Sequence, residues 1–396
     1  MTNASRRALL GLCLAASLAG SSVATMGCST LGPKGSEPDG LPHNGTGPYR
    51  DLDADETAVR TPSGAAISIG GTTIDTAMVA SDGSLFYASA TVTARPMPDA
   101  GPLDDAGVAL DAGVALDAGT PDAGPAVVRL PGPDWSQHEA RSVHRSAPRP
   151  PTGLTYGAHS PGFEPGTEIL TASQAWEGSF VTDPWALVRG DGSVLLYYAA
   201  EGGIGVARAS SLDGPYETES APVIAAHDDA VPRRPSVIDT HLLTGASHPY
   251  LMYYEESGVI RVAGSSDGVA FAPIASLTLP PMPARDDRDG AELAVGGPAA
   301  IVVTTPASRS IVRLYYESRR SNGNVLLTLA ASSDGASFEA FGRPVVEERD
   351  RRFPSPAVID ERISLLYQWS PEGPGTSEGT IFVGVAPGGV RLAPEM

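Results

Sequence analysis

Two aspartates stand at the head of matching apolar segments, Asp75-Thr76-Ala77-Met78-Val79 and Asp183-Pro184-Trp185-Ala186-Leu187-Val188. Two carboxylates facing one ligand can divide acid–base work: one protonates a leaving oxygen while the other activates water. The third matching segment opens instead on Arg233-Arg234-Pro235. Arginine keeps its proton at neutral pH and cannot act as the acid, but its planar fork grips carboxylate or sulfate with two hydrogen bonds. Glu177 precedes the second segment, and Glu201, Glu255 and Glu317 follow tyrosine-bearing strands, so each is a further carboxylate for the same site. Trp176 and Trp185 flank the Asp183 loop, where an indole can stack on a sugar ring or simply pack in a core.

Other chemistries are excluded by composition. Lys34 is the single lysine, and it lies in a polar N-terminal stretch, which removes Schiff-base and P-loop chemistry from the folded body. Cys13 and Cys28 both precede residue 30, so no disulfide scaffold, thiolate metal site or cysteine nucleophile is expected. The histidines never fall at i and i+4 or as His-x-His, so neither a zinc site nor any other cofactor is expected. Gly264-Ser265-Ser266-Asp267-Gly268 has the G-x-S-x-G form of a nucleophile elbow. It recurs without the leading glycine as Ser332-Ser333-Asp334-Gly335, which makes it a repeated turn. A net charge of −19 argues against nucleic acid and against an anionic membrane surface as partner.

The elements that must position these residues repeat. An apolar strand, a turn and a second strand ending in tyrosine occur with Tyr87, Tyr197-Tyr198, Tyr253-Tyr254, Tyr315-Tyr316 and Tyr367. The prolines at 184, 235, 298 and 356 lie 51, 63 and 58 residues apart, the length of one four-stranded sheet each. Third strands are expected at Gly205–Arg208, Ile260–Ala263 and Leu327–Ala330, and in the first copy at Val127–Leu130. With 45 glycines and 36 prolines the chain is turn-rich, and the reading is all-β: a five-bladed β-propeller over residues 61–396. Ala65–Ile69 is expected to close the ring as the outer strand of the last blade. Residues 96–126 repeat Asp-Ala-Gly and read as a disordered acidic insertion in the first blade. Lengthening a loop from about 5 to about 30 residues costs only about 1.6 kcal/mol, so such an insertion is tolerable.

Five blades, Asp-Pro opening an inner strand and Ser-x-Asp-Gly turns resemble the arabinanase, levansucrase and invertase superfamily, of which glycoside hydrolase family 43 is a member. The resemblance implies a site in the central funnel, with Asp75 as general base, Asp183 as its partner and a glutamate from the third blade as acid. Arg233-Arg234 departs from that pattern and leaves Glu255 as the substitute acid. Trp176, Trp185, Arg233 and Arg234 would bind ligand. The resemblance thus implies an oligo- or polysaccharide partner and a monomeric, carbohydrate-recognising propeller with weak or altered catalysis. The alternatives are an active glycosidase cleaving arabinosyl, xylosyl or fructosyl linkages, and a non-catalytic structural or protein-interaction propeller. The two arginines would also favour sugars carrying carboxylate or sulfate and would pair with Asp75 and Asp183.

Residues 1–27 read as an export signal: Arg6-Arg7, the apolar run Ala8–Ala19, then Gly27-Cys28 in the manner of a lipoprotein signal. Cys28 is the expected lipidation site and 28–60 a flexible linker. The chain is then exported and held at the cell envelope, or released outside the cell, and meets the membrane only through its lipid.

Overall fold

The computed structural model describes residues 50–51, 74–90, 141–147, 166–227, 230–277, 279–284, 290–304, 309–346, 351–359, 362–369 and 380–385. The signal segment with Cys28, the tract 96–126 and the strand expected at 65–69 lie outside them.

Strand β1 (Arg50–Asp51) comes first in the chain. A first sheet holds β2 (Ile74–Val79), β3 (Leu85–Ala90), β4 (Arg141–Ser146) and β5 (Thr167–Leu170). A second holds β6 (Thr182–Val188), β7 (Val194–Ala200) and β8 (Gly203–Ala209), with the short β9 (Glu217–Thr218) and β10 (Ile224–Ala225) on β8. The third is β11 (Arg233–Asp239), β12 (Tyr250–Glu256), β13 (Val259–Ser265) and β14 (Ala272–Ser276). The fourth is β15 (Glu292–Thr304), β16 (Ser310–Arg320), β17 (Val325–Ser332) and β18 (Glu339–Pro344). The last is β19 (Arg351–Ile359), β20 (Arg362–Trp369) and β21 (Thr380–Val385), completed by β1. Every pairing is antiparallel, and the helix among the described residues is a single 3-10 turn at Ala175–Glu177.

The first strands of successive sheets pack side by side, β2 on β6, β6 on β11, β11 on β15, β15 on β19, and β19 back on β2. The ring is closed. The fold is a β-propeller.

Packing on both faces explains why the strands read as unbroken apolar runs rather than alternating ones. Every residue of β7, Val194–Ala200, is buried. Tyr198 joins Phe86, Val143 and Leu170 between the first two sheets, while Tyr197 joins Val237 and Met252 between the second and third. The sheets are also tied by hydrogen bonds at their rims. Tyr197 donates to the carbonyl of Gly268 at 2.7 Å, and Tyr253 donates to that of Gly335 at 2.6 Å. Those carbonyls belong to the repeated Ser-x-Asp-Gly turns. In each, the serine hydroxyl accepts the glycine N–H at 2.9 Å, and the aspartate accepts two further backbone N–H groups. The G-x-S-x-G match is therefore a blade turn.

Three assignments change. The third strand of the first sheet is β4, Arg141–Ser146, not 127–130, which lies outside the described residues. Its sequence conceals it, because Val143 is its one aliphatic residue; Arg145 instead bonds Asp82 across the sheet and Asp213 of the next. Residues 91–140 thus connect two adjacent antiparallel strands, so the acidic tract falls inside one sheet rather than between domains. Strand β1, within the stretch read as linker, occupies the closing position on β21. In the fifth copy the register places Pro354, not Pro356, in line with Pro184, Pro235 and Pro298.

Candidate functional site

Every innermost strand breaks register at a matching place, between Ile74 and Ala77, Thr182 and Trp185, Arg233 and Ser236, Gly296 and Ala299, and Arg352 and Ser355, and β15 breaks once more between Glu292 and Ala294. The bulged pairs are Asp75-Thr76, Asp183-Pro184, Arg234-Pro235, Gly297-Pro298 and Phe353-Pro354. A bulge leaves a residue unpaired, so a proline there forfeits no ladder hydrogen bond. Asp183, Arg234, Gly297 and Phe353, the residues before the prolines, have φ of 51°, 53°, 54° and 52°. For the non-glycine residues that left-handed conformation costs about 1–2 kcal/mol each. Strain of this kind collects where a side chain must be re-aimed for function.

What holds the strained residues is a chain of hydrogen bonds running from sheet to sheet. The N–H of Asp183 donates to Thr76 Oγ1 at 3.1 Å, and that of Arg234 to Asp183 Oδ2 at 3.3 Å. The N–H of Gly297 donates to Glu255 Oε2 and that of Phe353 to Glu317 Oε1, both at 2.9 Å. Each of these four bulges is thus capped by a side chain of the preceding sheet.

The two capping glutamates anchor an ion-pair cluster. Arg319 donates Nη1 to Glu255 Oε1 at 2.7 Å and Nη2 to Glu255 Oε2 at 2.9 Å, while its Nε and Nη2 reach Glu317 Oε2 at 3.0 and 2.8 Å. Arg234 Nη1 lies 2.8 Å from Glu255 and 3.5 Å from Glu317, and its guanidinium stacks 3.9 Å from the Phe353 ring centre. Arg233 comes to 4.0 Å from Glu255. Burial pushes the Glu255 carboxyl up, but Arg319, Arg234 and Arg233 together outweigh it and hold it well below the usual carboxylate range. For Glu317 burial is likewise overcome, by Arg319, Arg234 and Arg352. Arg319, between two carboxylates, is held more firmly protonated despite its burial. Burial pulls Arg233 and Arg141 down instead, opposed by Glu255 for Arg233 and by Asp183 for both.

The expected site residues divide accordingly. Asp183, Glu255, Arg233 and Arg234 meet at the ring centre. Asp75 sits at the equivalent bulge of β2, with its side chain outside the described residues. The arginines were expected to pair with Asp75 and Asp183. The Arg234 side chain pairs with Glu255 and Glu317 instead, and only its backbone reaches Asp183. The reason is register, since Arg233 stands directly opposite Glu255. Glu177 and Glu201 stay away from the cluster. Glu177 caps its own 3-10 turn, accepting the N–H of Gln174 at 2.7 Å and the hydroxyl of Tyr198, and Glu201 holds Ser179.

Both tryptophans are engaged in packing. Trp176 stacks on Tyr198, ring centres 6.0 Å apart, in the core of the first two sheets. Trp185 donates its indole N–H to the Val237 carbonyl at 2.9 Å. It also packs against the cluster of Ala299, Tyr315, Leu365 and Tyr367, from the fourth and fifth sheets, so it reaches across the ring centre. Sequence reasoning missed Arg319 and Phe353. The alternation Glu317-Ser318-Arg319 already puts Arg319 on the glutamate's face of the strand; nothing in the sequence singled out Phe353.

No family model matches the chain, and no curated protein matches it. Among solved structures, a thermostable family-43 glycoside hydrolase is 12% identical with a TM-score of 0.48, covering 83% of this chain and 97% of that one. An endo-1,4-beta-xylanase from Bacteroides thetaiotaomicron is 11% identical at 0.46, covering 82% and 97%. The catalytic domain of a Coprinopsis cinerea GH62 alpha-L-arabinofuranosidase is 12% identical at 0.46, covering 85% and 94%. The architecture rests on the closed ring of sheets, not on these likenesses.

Proposed function

We propose that this is a carbohydrate-recognising, five-bladed propeller that binds its ligand at the bulge positions of the ring and does so without ordinary hydrolysis. The observation that carries the reading is the row of left-handed residues, Asp183, Arg234 and Phe353 among them, held at equivalent points around one centre. Backbone strain repeated in this way serves to present side chains. A general acid must carry a proton near neutral pH. Glu255 and Glu317 are instead kept charged by arginines and committed to capping bulges, so the expected acid is a positioning residue. The propeller is carried outside the cytoplasm on the stretch between Cys28 and β1, with Cys28 as its lipid anchor, and works as a monomer.

One observation favours the alternative of an active glycosidase. Asp75 and Asp183 occupy the same bulge position in neighbouring inner strands, which suits a two-carboxylate pair. A single experiment separates the readings: a panel of arabinosyl, xylosyl, fructosyl and uronic-acid oligosaccharides is assayed for binding by calorimetry and for reducing-end release. Binding without release supports recognition. Release that disappears in Asp75→Asn supports the hydrolase. Absence of both overturns the carbohydrate reading.

A further inference from the structure

Phe353 is the odd member of the row of bulges. Asp75, Asp183 and Arg234 are charged and Gly297 has no side chain, whereas the fifth position carries an aromatic ring. A bulky residue at positive φ is a true backbone outlier, and φ here is 52°. The residue is half-buried next to the ion-pair cluster. Hydrophobic burial alone does not account for that placement, because it favours taking the whole ring out of water.

Backbone and ring are both fixed through one carboxylate. Glu317 Oε1 accepts the Phe353 N–H at 2.9 Å and lies 3.5 Å from Arg234 Nη1. The Arg234 guanidinium in turn lies over one face of the Phe353 ring, 3.9 Å from its centre, and Glu255 steadies the same Nη1 at 2.8 Å. The plane of the ring is thus set before a ligand arrives. An aromatic side chain fixed in advance loses little freedom on binding, so more of its contact energy appears as affinity.

Among charged neighbours, a fixed aromatic face suits a ligand that is polar at its rim and apolar on one side. A pyranose chair with equatorial hydroxyls has that form: its axial C–H bonds make a flat patch, and its hydroxyls radiate from the edge. A furanose is puckered, carries hydroxyls on its faces and offers no such patch.

Resting on the carbohydrate reading above, we infer that Phe353 is the stacking platform of the site and that the ligand is a pyranoside with equatorial hydroxyls, not a furanoside. The C–H face of the sugar lies on the ring face turned away from Arg234, and its rim hydroxyls reach the polar groups of the neighbouring bulges. The stacking role expected of Trp176 and Trp185 falls instead to the fifth sheet.

Calorimetry tests this with four neutral trisaccharides: xylotriose and cellotriose, built of pyranoses, and the trimers of arabinofuranose and fructofuranose. The pyranosides are expected to bind about ten-fold more tightly, the upper value of an aromatic stacking contact. Phe353→Leu keeps apolar bulk without the flat face and should close most of that gap, whereas Phe353→Tyr should keep it open. If Phe353→Leu proves unfolded by circular dichroism, the native protein decides by magnetic resonance. Saturating its aromatic protons should then transfer to the axial C–H protons of xylotriose, and the transfer should be lost once its phenylalanines are deuterated. Furanosides binding as tightly as pyranosides would overturn the inference and leave the carbohydrate reading standing. A gap that survives Phe353→Leu, or a transfer that survives deuteration, would overturn the role of Phe353. No binding by any of the four would overturn the inference, and the carbohydrate reading would then stand or fall on the uronic-acid members of the panel above.

Discussion

Arg319 holds Glu255 by two parallel hydrogen bonds, Nη1 to Oε1 at 2.7 Å and Nη2 to Oε2 at 2.9 Å, across the boundary between the third and fourth sheets. The same guanidinium bonds Glu317, so one side chain bridges both glutamates that cap bulges, alongside Arg234. Arg319→Met should leave two buried carboxylates short of a counter-charge and cost about 3–5 kcal/mol. Urea unfolding measures this, and adding Glu255→Gln should recover part of the loss. An unshifted midpoint would show that the bidentate pair contributes nothing to the ring.

Stability should be flat across neutral pH and fall at both ends. The carboxyls of Glu255 and Glu317 are held below their ordinary range, so their contribution is complete above about pH 4.3, the unfolded value, and is lost as pH falls further. Burial pushes the phenols of Tyr197, Tyr198, Tyr253 and Tyr316 up, so their contribution is complete below about pH 10 and is lost as pH rises past it. Melting temperatures from about pH 3 to 11 test both limbs, and Glu255→Gln should soften the acid one. A protein equally stable at pH 3 and pH 7 would contradict the assignment.

Tyr197→Phe and Tyr253→Phe each remove the hydrogen bond from one sheet to the turn of the next and leave a glycine carbonyl without that donor. Each should cost about 1–3 kcal/mol with the apolar packing of the ring intact. Chemical denaturation of the single and double variants reads the losses. Wild-type midpoints would show the tyrosines to be packing residues only.

Gly297→Ala tests the bulge. At φ 54° an added Cβ is strained, and it would stand 2.8 Å from Glu317 Oε1, which accepts the Phe353 N–H while Arg319 holds Oε2 of the same carboxylate. A loss of at least about 1–2 kcal/mol is expected. Ligand affinity should fall as well, because Glu317 can move only by releasing the Phe353 bulge. A neutral substitution would mean that this junction is slack.

Trp185→Ala should open a cavity at the ring centre and cost about 3–5 kcal/mol, more than Trp176→Phe, which keeps the stacking on Tyr198. Thermal melts of the two variants give the comparison.

Much of this molecule was legible in the chain. The recurrence of an apolar strand, a turn and a tyrosine-ended strand fixes the sheets, because a blade packed on both faces needs unbroken apolar runs with turns at a steady interval. Asp183, Arg233, Arg234 and Glu255 were identifiable for the same reason: once the repeat is aligned, they fall at its most polar positions. Arg141–Ser146 was hidden, since a strand that meets its neighbours through Arg145, Ser142 and His144 leaves little hydrophobic period to read.

The partners within the site needed the tertiary structure. Sequence spacing brings the arginines towards the aspartates, but cross-strand register and the curvature of the ring decide which carboxylate each meets. Register sets Arg233 opposite Glu255, and the turn from one sheet to the next carries Arg319 onto the same carboxylate. The left-handed bulges belong to this second class as well. Asp-Pro, Arg-Pro, Gly-Pro and Phe-Pro share no side-chain chemistry, yet all adopt one backbone conformation, because each N–H is capped from the sheet before it. That Trp185 packs against the fourth and fifth sheets likewise follows from where the ring closes, a long-range contact that no local pattern encodes.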